Sequence, residues 1–97
     1  MKYRLEIKEE AARETIESFL WYEQQQSGLG NNFLLQVQES IIIIVRHPFL
    51  CQKFFGDYRQ IPIKRFPFVI VYEMEDDAVI VYAVFHTGRN PEMKFRK

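Results

Sequence analysis

Tyr3, Leu5 and Ile7 alternate with charged residues near the start of the chain, and a period of two marks a short strand with one buried face. The period then lengthens. Ala12, Ile16, Phe19 and Leu20 fall at i, i+4, i+7 and i+8, which puts them on one face of a helix over residues 9–25. The run Ser27-Gly28-Leu29-Gly30-Asn31-Asn32 breaks that helix, because glycine and asparagine favour turns and caps. Asn31 or Asn32 is placed to cap a second helix. In it Leu34, Val37, Ile41, Ile44 and Val45 again show helical spacing, and Pro48 stops it. Residues 41–45 are β-branched throughout, which alone favours a strand. The helical period runs on through them, so the helix is the reading adopted.

Residues 49–56 read as a loop or irregular turn, and three strands follow. The first covers 58–63, where Pro62 marks an edge or a bulge. The others cover 66–73 and 78–86, joined by the acidic turn Met74-Glu75-Asp76-Asp77. Both alternating sets of the last strand, Val79/Val81/Ala83/Phe85 and Ile80/Tyr82/Val84, are apolar; a strand apolar on both sides belongs in the middle of its sheet. A polar tail, 87–97, ends the chain. The order β-α-α-β-β-β predicts an α+β fold: a twisted, mainly antiparallel four-stranded sheet with a helical pair on one face and the other face open to a partner. With no repeat, low-complexity tract or linker, residues 1–97 read as a single domain.

Composition narrows the class. At 47% hydrophobic and 15% aromatic residues, the chain has the apolar material for one core. Cys51 stands alone, which excludes an intramolecular disulfide scaffold. The longest apolar run, 41–45, is far short of the ~20 residues that span a bilayer. Residues 1–10 mix three bases with three acids and lack the apolar stretch of a signal peptide, so the expectation is a cytoplasmic protein with no membrane partner. Net charge is zero but uneven: residues 1–40 hold four bases and seven acids, residues 41–97 nine bases and six acids. That asymmetry is ordinary surface charge or a basic face for an anionic partner. The zero total argues against broad nonspecific nucleic-acid binding, which needs many phosphate contacts.

Two short motifs carry little. His47 and Cys51 have the spacing of half a zinc site, but no second ligand pair accompanies them. Gly28-x-Gly30 lacks both the lysine of a phosphate loop and a strand before it, and reads as a helix–helix turn. No metal and no cofactor is expected.

The element order at this length resembles the RelE/ParE toxin superfamily, and local patterns resemble its plasmid-stabilisation branch. They are Trp21-Tyr22-Glu23-Gln24-Gln25 followed by Gly28-Leu29-Gly30 and Phe33, then Arg59 ahead of Phe66-Pro67-Phe68, then Tyr72, and finally His86 followed by Arg89-Asn90-Pro91. The resemblance spans residues 3–91. It implies the toxin of a type II toxin–antitoxin module, held inactive by a cognate antitoxin protein and able to arrest growth. One branch poisons DNA gyrase; another cuts messenger RNA on the ribosome. The gyrase-inhibiting, ParE-like reading is favoured, with a RelE-like endoribonuclease as the alternative and a non-toxic adaptor or relic of the fold as a third. The resemblance leaves a homodimer open.

RNA cleavage through the 2′-hydroxyl needs an acid, a base and cations beside the phosphate. Arg59, Arg65 and Arg89 are the candidate cations, with Lys64 beside them, since arginine grips phosphate bidentately. His86, at a strand end, is the candidate acid or base. Each has a structural alternative: a hydrogen bond closing the strand for His86, a pairing with Glu23 or Asp57 for Arg59, plain solvation for Lys64 and Arg65. Trp21 and Tyr22 extend the apolar surface of the first helix, as core or as partner contacts together with Lys64. The pI of about 6.7, and Phe95 where a tyrosine would serve as a catalytic group, both depart from the strongly basic nuclease pattern.

Overall fold

The computed structural model of the chain describes residues 3–88. Its elements are β1 (Arg4–Ile7), α1 (Glu9–Gln25), α2 (Leu29–Arg46), β2 (Lys53–Phe55), β3 (Tyr58–Pro62), β4 (Phe68–Glu75) and β5 (Ala78–His86). The strands form one sheet in the order β1-β5-β4-β3-β2. Only β1 and β5 run parallel; the other neighbours are antiparallel. A parallel pair needs a long crossover, and the α1–α2 hairpin supplies it. The fold is α+β, as expected, with five strands among the described residues instead of four.

The added strand is β2, inside the stretch read as a loop. It returns on β3 through Gly56 at φ 55 and pairs Lys53 with Arg59 and Phe55 with Tyr58, with a register break between. Three residues, Lys-Phe-Phe, are too few for alternation to show. Because β2 pairs no further than Arg59, Pro62 lies beyond its reach, and the missing proline N–H leaves no gap in the ladder. β4 is shifted towards the hairpin relative to its expected bounds, and the connection to β5 shrinks to Asp76 and Asp77, with Asp76 left-handed at φ 56. β5 lies between β1 and β4, which explains its two apolar faces.

α1 forms where expected but turns a different face inward. Ile16 and Leu20 are 58% and 52% exposed, while Ala11 is fully buried. The inward strip is Ala11, Thr15, Ser18 and Tyr22, at i, i+4, i+7 and i+11. Small side chains let the helix lie close to β5, and the Thr15 hydroxyl donates to the Ala11 carbonyl (2.9 Å) instead of reaching the sheet unpaired. α2 buries Phe33, Val37 and Ile44 as its spacing predicts, and its helix continues through 41–45. These side chains meet Ile61, Ile63, Phe68, Ile70, Tyr72, Val79, Val81 and Val84 of the sheet in the main core. Phe33 packs within 5.0–5.4 Å, centroid to centroid, of the rings of Tyr22, Phe66 and Phe68.

The helix–helix turn is held by one carboxylate. Neither asparagine caps α2; Gly28 occupies the cap position at φ 88. The Glu23 carboxylate accepts the Gly28 and Gly30 N–H groups, each at 2.9 Å. Two donors at the helix start are thereby satisfied by a charge of the sign the helix dipole favours there. On the sheet face away from the helices, Val69, Val71 and Phe85 form a second, smaller cluster with Tyr58 and Ala83.

Candidate functional site

His86 ends β5 on the helix side, with its ring centroid 5.0 Å from that of Phe68. Its Nδ1 accepts the Gly88 N–H at 2.9 Å, closing a turn just past the strand. The proton of the neutral ring therefore sits on Nε2. The ring borders a groove of about 700 Å³ between α1 and the end of β5. Glu14, Glu17 and Trp21 of α1 form one wall, and Phe68, Val84 and His86 the other. Glu14 Oε1 accepts the Val84 N–H at 2.9 Å, a side chain standing where a neighbouring strand would (2.9 Å).

Arg59 lies elsewhere. It pairs across the ladder with Tyr72, whereas His86 pairs with Phe68. Four residues of β4 separate the two, about 13 Å at ~3.3 Å per residue. The Arg59 guanidinium donates to the Cys51 carbonyl and lies 5.1 Å from the Phe49 ring centroid, a cation–π distance. Beneath it the Tyr72 hydroxyl donates to the Pro48 carbonyl at 2.8 Å, and burial raises the Tyr72 hydroxyl pKa. Arg59 and Tyr72 thus pin the loop that carries the chain from α2 to β2. The carboxylates offered as partners for Arg59 have other roles: Asp57 pairs with Lys53 at 3.1 Å, and Glu23 holds the helix turn.

Lys64 and Arg65 sit in the exposed turn after β3, at the same end of the sheet as His86. Arg65 takes a left-handed φ of 74, and neither residue enters a salt bridge among the described residues. Arg89 lies outside the described residues. Of the candidates, then, His86, Lys64 and Arg65 share one end of the sheet and Arg59 occupies the other. Tyr22 is half-buried among the phenylalanine rings, where desolvation raises its hydroxyl pKa. Trp21 is 56% exposed, its ring held edge-on to Tyr22 at 5.1 Å.

The open sheet face is aromatic and acidic. Tyr58 and Tyr82 meet edge-on at 5.3 Å, and Phe55 stacks beside Tyr58 at 6.5 Å. Desolvation first, then a hydrogen bond to Glu73 and that carboxylate's charge, push the Tyr82 pKa up to about 12. Among the described residues no three His, Cys, Asp or Glu side chains come together as a metal site, and no helix is long and apolar enough to cross a membrane.

Glu14 and Glu17 stand out in no pattern of the sequence, and Glu23 enters there only within a motif and as a partner for Arg59, not as the clamp of the helix turn. Glu23 had a readable signal, a carboxylate just ahead of the Gly-x-Gly break. Glu14 had none, because its partner lies seventy residues away.

A two-helix hairpin laid on a mostly antiparallel sheet, with a parallel first strand, is an architecture shared with solved toxins. A chain of the chromosomal ParDE toxin–antitoxin system from P. aeruginosa superposes with TM-score 0.78 at 10% identity, covering 88% of this chain and 96% of that one. A chain of the intact E. coli RelBE toxin–antitoxin complex gives 0.62 at 21% identity, over 90% and 99%. The isolated E. coli RelE toxin gives 0.61 at 18% identity, over 94% and 90%. At these identities the likeness is one of fold. None of the curated proteins matches the chain in sequence. The sequence pattern of the family described as the ParE toxin of the type II toxin-antitoxin system, parDE, matches residues 5–91. The chain belongs to this family: it is a ParE-like toxin of a type II toxin–antitoxin system.

Proposed function

We propose that this toxin arrests growth by inhibiting DNA gyrase and cuts no RNA. The observation that carries the reading is the separation of Arg59 from His86. Arg59 is engaged by the Cys51 carbonyl and the Phe49 ring at one end of the sheet, while His86 closes a turn at the other. In-line phosphoryl chemistry needs its acid, base and cations within hydrogen-bond reach of one phosphate. The sheet face that carries Tyr58, Tyr82 and Glu73 offers aromatic rings and a carboxylate where a nuclease needs positive charge. Family membership supports the same side of the choice.

In this reading residues 1–97 work as one toxin domain in the cytoplasm, without cofactor. A cognate antitoxin holds the toxin inactive until released, as the ParDE and RelBE pairings suggest. The test pairs two assays on the purified chain. Supercoiling of relaxed plasmid by gyrase should fall as the chain is titrated in, while messenger RNA recovered from translating extracts should keep its 5′ ends. Undisturbed supercoiling together with new cleavages inside reading frames would reverse the assignment.

A further inference from the structure

We infer that α2 docks on α2 of a second copy of this chain, antiparallel about a twofold axis beside Ile42 and Ile43, with Glu39 of each copy against Arg46 of the other. The inference rests on the outer face of the helical hairpin and does not depend on which target the toxin has.

The fold gives α2 one covered side and one bare one. Its inward residues are Phe33, Val37, Ser40 and Ile44, and a helix lying on a sheet ordinarily shows polar residues opposite them. Leu35 and Ile42 instead stand 53% and 50% exposed, with Ile43 exposed beside them. Leu35, Glu39, Ile42 and Arg46 fall at i, i+4, i+7 and i+11, a single stripe on the side away from the buried one. That is the spacing of a seam along which one helix packs on another.

The order of charges along the stripe fits a copy of itself. Glu39 and Arg46 are equidistant in sequence from the midpoint of Ile42 and Ile43, and lie about 10 Å apart along the axis at ~1.5 Å per residue. Both are exposed, and neither enters a salt bridge among the described residues. A second α2 turned end for end about that midpoint lays its Arg46 on Glu39, its Ile43 on Ile42 and its Glu39 on Arg46. Two ion pairs then flank one apolar contact, the self-complementary order that a twofold interface demands. Parallel helices would set Glu39 on Glu39 and Arg46 on Arg46, so charge fixes the direction as well. The same rotation brings Leu35 over the turn that follows α2 in the second copy. There Leu50 is 67% exposed, in a turn closed by its N–H donating to the His47 carbonyl at 3.0 Å. One helix pair buries less than the roughly 1,600 Å² of a standard interface, so the dimer is weak and fills only as concentration rises.

Sedimentation equilibrium of the purified full chain, from about 10 μM to about 1 mM, should show the average mass climbing from one chain toward two. Glu39→Arg alone and Arg46→Glu alone each set like charges across the seam, and each should weaken association at least tenfold. An equimolar mixture of these two variants restores both ion pairs in a heterodimer, so it should associate within threefold of the parent. Recovery on mixing also shows that both variants are folded. A parent chain that stays a single copy across the whole range overturns the inference. So does either variant associating as strongly as the parent, or a mixture no stronger than its components. Association that survives Ile42→Glu places the contact on another surface, with the same consequence.

Discussion

Arg59 and His86 look like surface chemistry in the sequence and Tyr82 like part of an apolar strand face, and in the structure each polar group meets a partner of the fold. His86 is the most direct test of nuclease chemistry. Its Nδ1 holds the Gly88 amide, a bond worth about 1 kcal/mol at most in so exposed a turn. His86→Ala should therefore leave killing within about twofold of the parent on induction, measured as viable count at matched soluble protein. A folded His86→Ala protein that has lost all toxicity would restore the acid–base role. Tyr82 reports on the open sheet face. Its folded pKa of about 12 lies above the ordinary tyrosine value of about 10, so the folded state holds that proton more tightly than the unfolded chain does. The stabilisation is complete below pH about 10 and is lost as pH rises through about 12. Tyr82→Phe should make the decline of the urea midpoint across that window shallower without flattening it, because Tyr72 is shifted in the same direction. An equal slope in both proteins would mean that Tyr82 ionises as freely in the folded state as in the unfolded one.

Among the elements, those with a long regular period were readable and those that depend on close approach were not. α2 and β5 carry their pattern over 18 and 9 residues, long enough for helix and central strand to be recognised despite the β-branched run at 41–45. α1 was recognised as a helix but assigned the wrong face, because hydrophobicity ranks Ile16 and Leu20 above Ala11 and Ser18. What decides the packing is the narrow space against β5, which suits small residues. The helix turn shows the same physics. A Cβ added at Gly30 would lie 2.7 Å from both the Phe19 carbonyl oxygen and Glu23 Oε1. By propensity alone Gly30→Ala would stabilise a helix by roughly 0.5–1 kcal/mol. Here it must separate α1 from α2 and disturb the Glu23 clamp, and it should cost about 1–3 kcal/mol instead. Thermal denaturation would show this as a Tm lowered by at least ~4 °C; a raised Tm would mean the hairpin is not packed this closely. The candidate site was legible only as a set of residue types. Which of them meet depends on the register that sets Phe68 opposite His86 and Tyr72 opposite Arg59, and a register is not readable from one strand at a time.

For the molecule as a whole, the basic excess of the second half belongs to its last nine residues. Residues 41–88 hold five bases and five acids, while 89–97 hold four bases (Arg89, Lys94, Arg96 and Lys97) and one acid. The described body, residues 3–88, carries eight bases against twelve acids, a net charge of −4. A body of that sign repels a polyphosphate at distances up to a Debye length, about 8 Å at physiological ionic strength. Whatever affinity the full chain has for RNA must then rest on the four bases of 89–97. Each phosphate neutralised on a single strand contributes about −0.7 to the slope of log K against log salt, so four bases set a ceiling near −3. Fluorescence anisotropy of a labelled single-stranded RNA, titrated across salt concentrations, should give a slope no steeper than that. Truncation after Gly88 should remove the binding altogether. A markedly steeper slope, or binding that survives the truncation, would require a cation cluster on the body itself, and Arg59, Lys64 and Arg65 would then have to converge on RNA despite the distances that separate them in the free toxin.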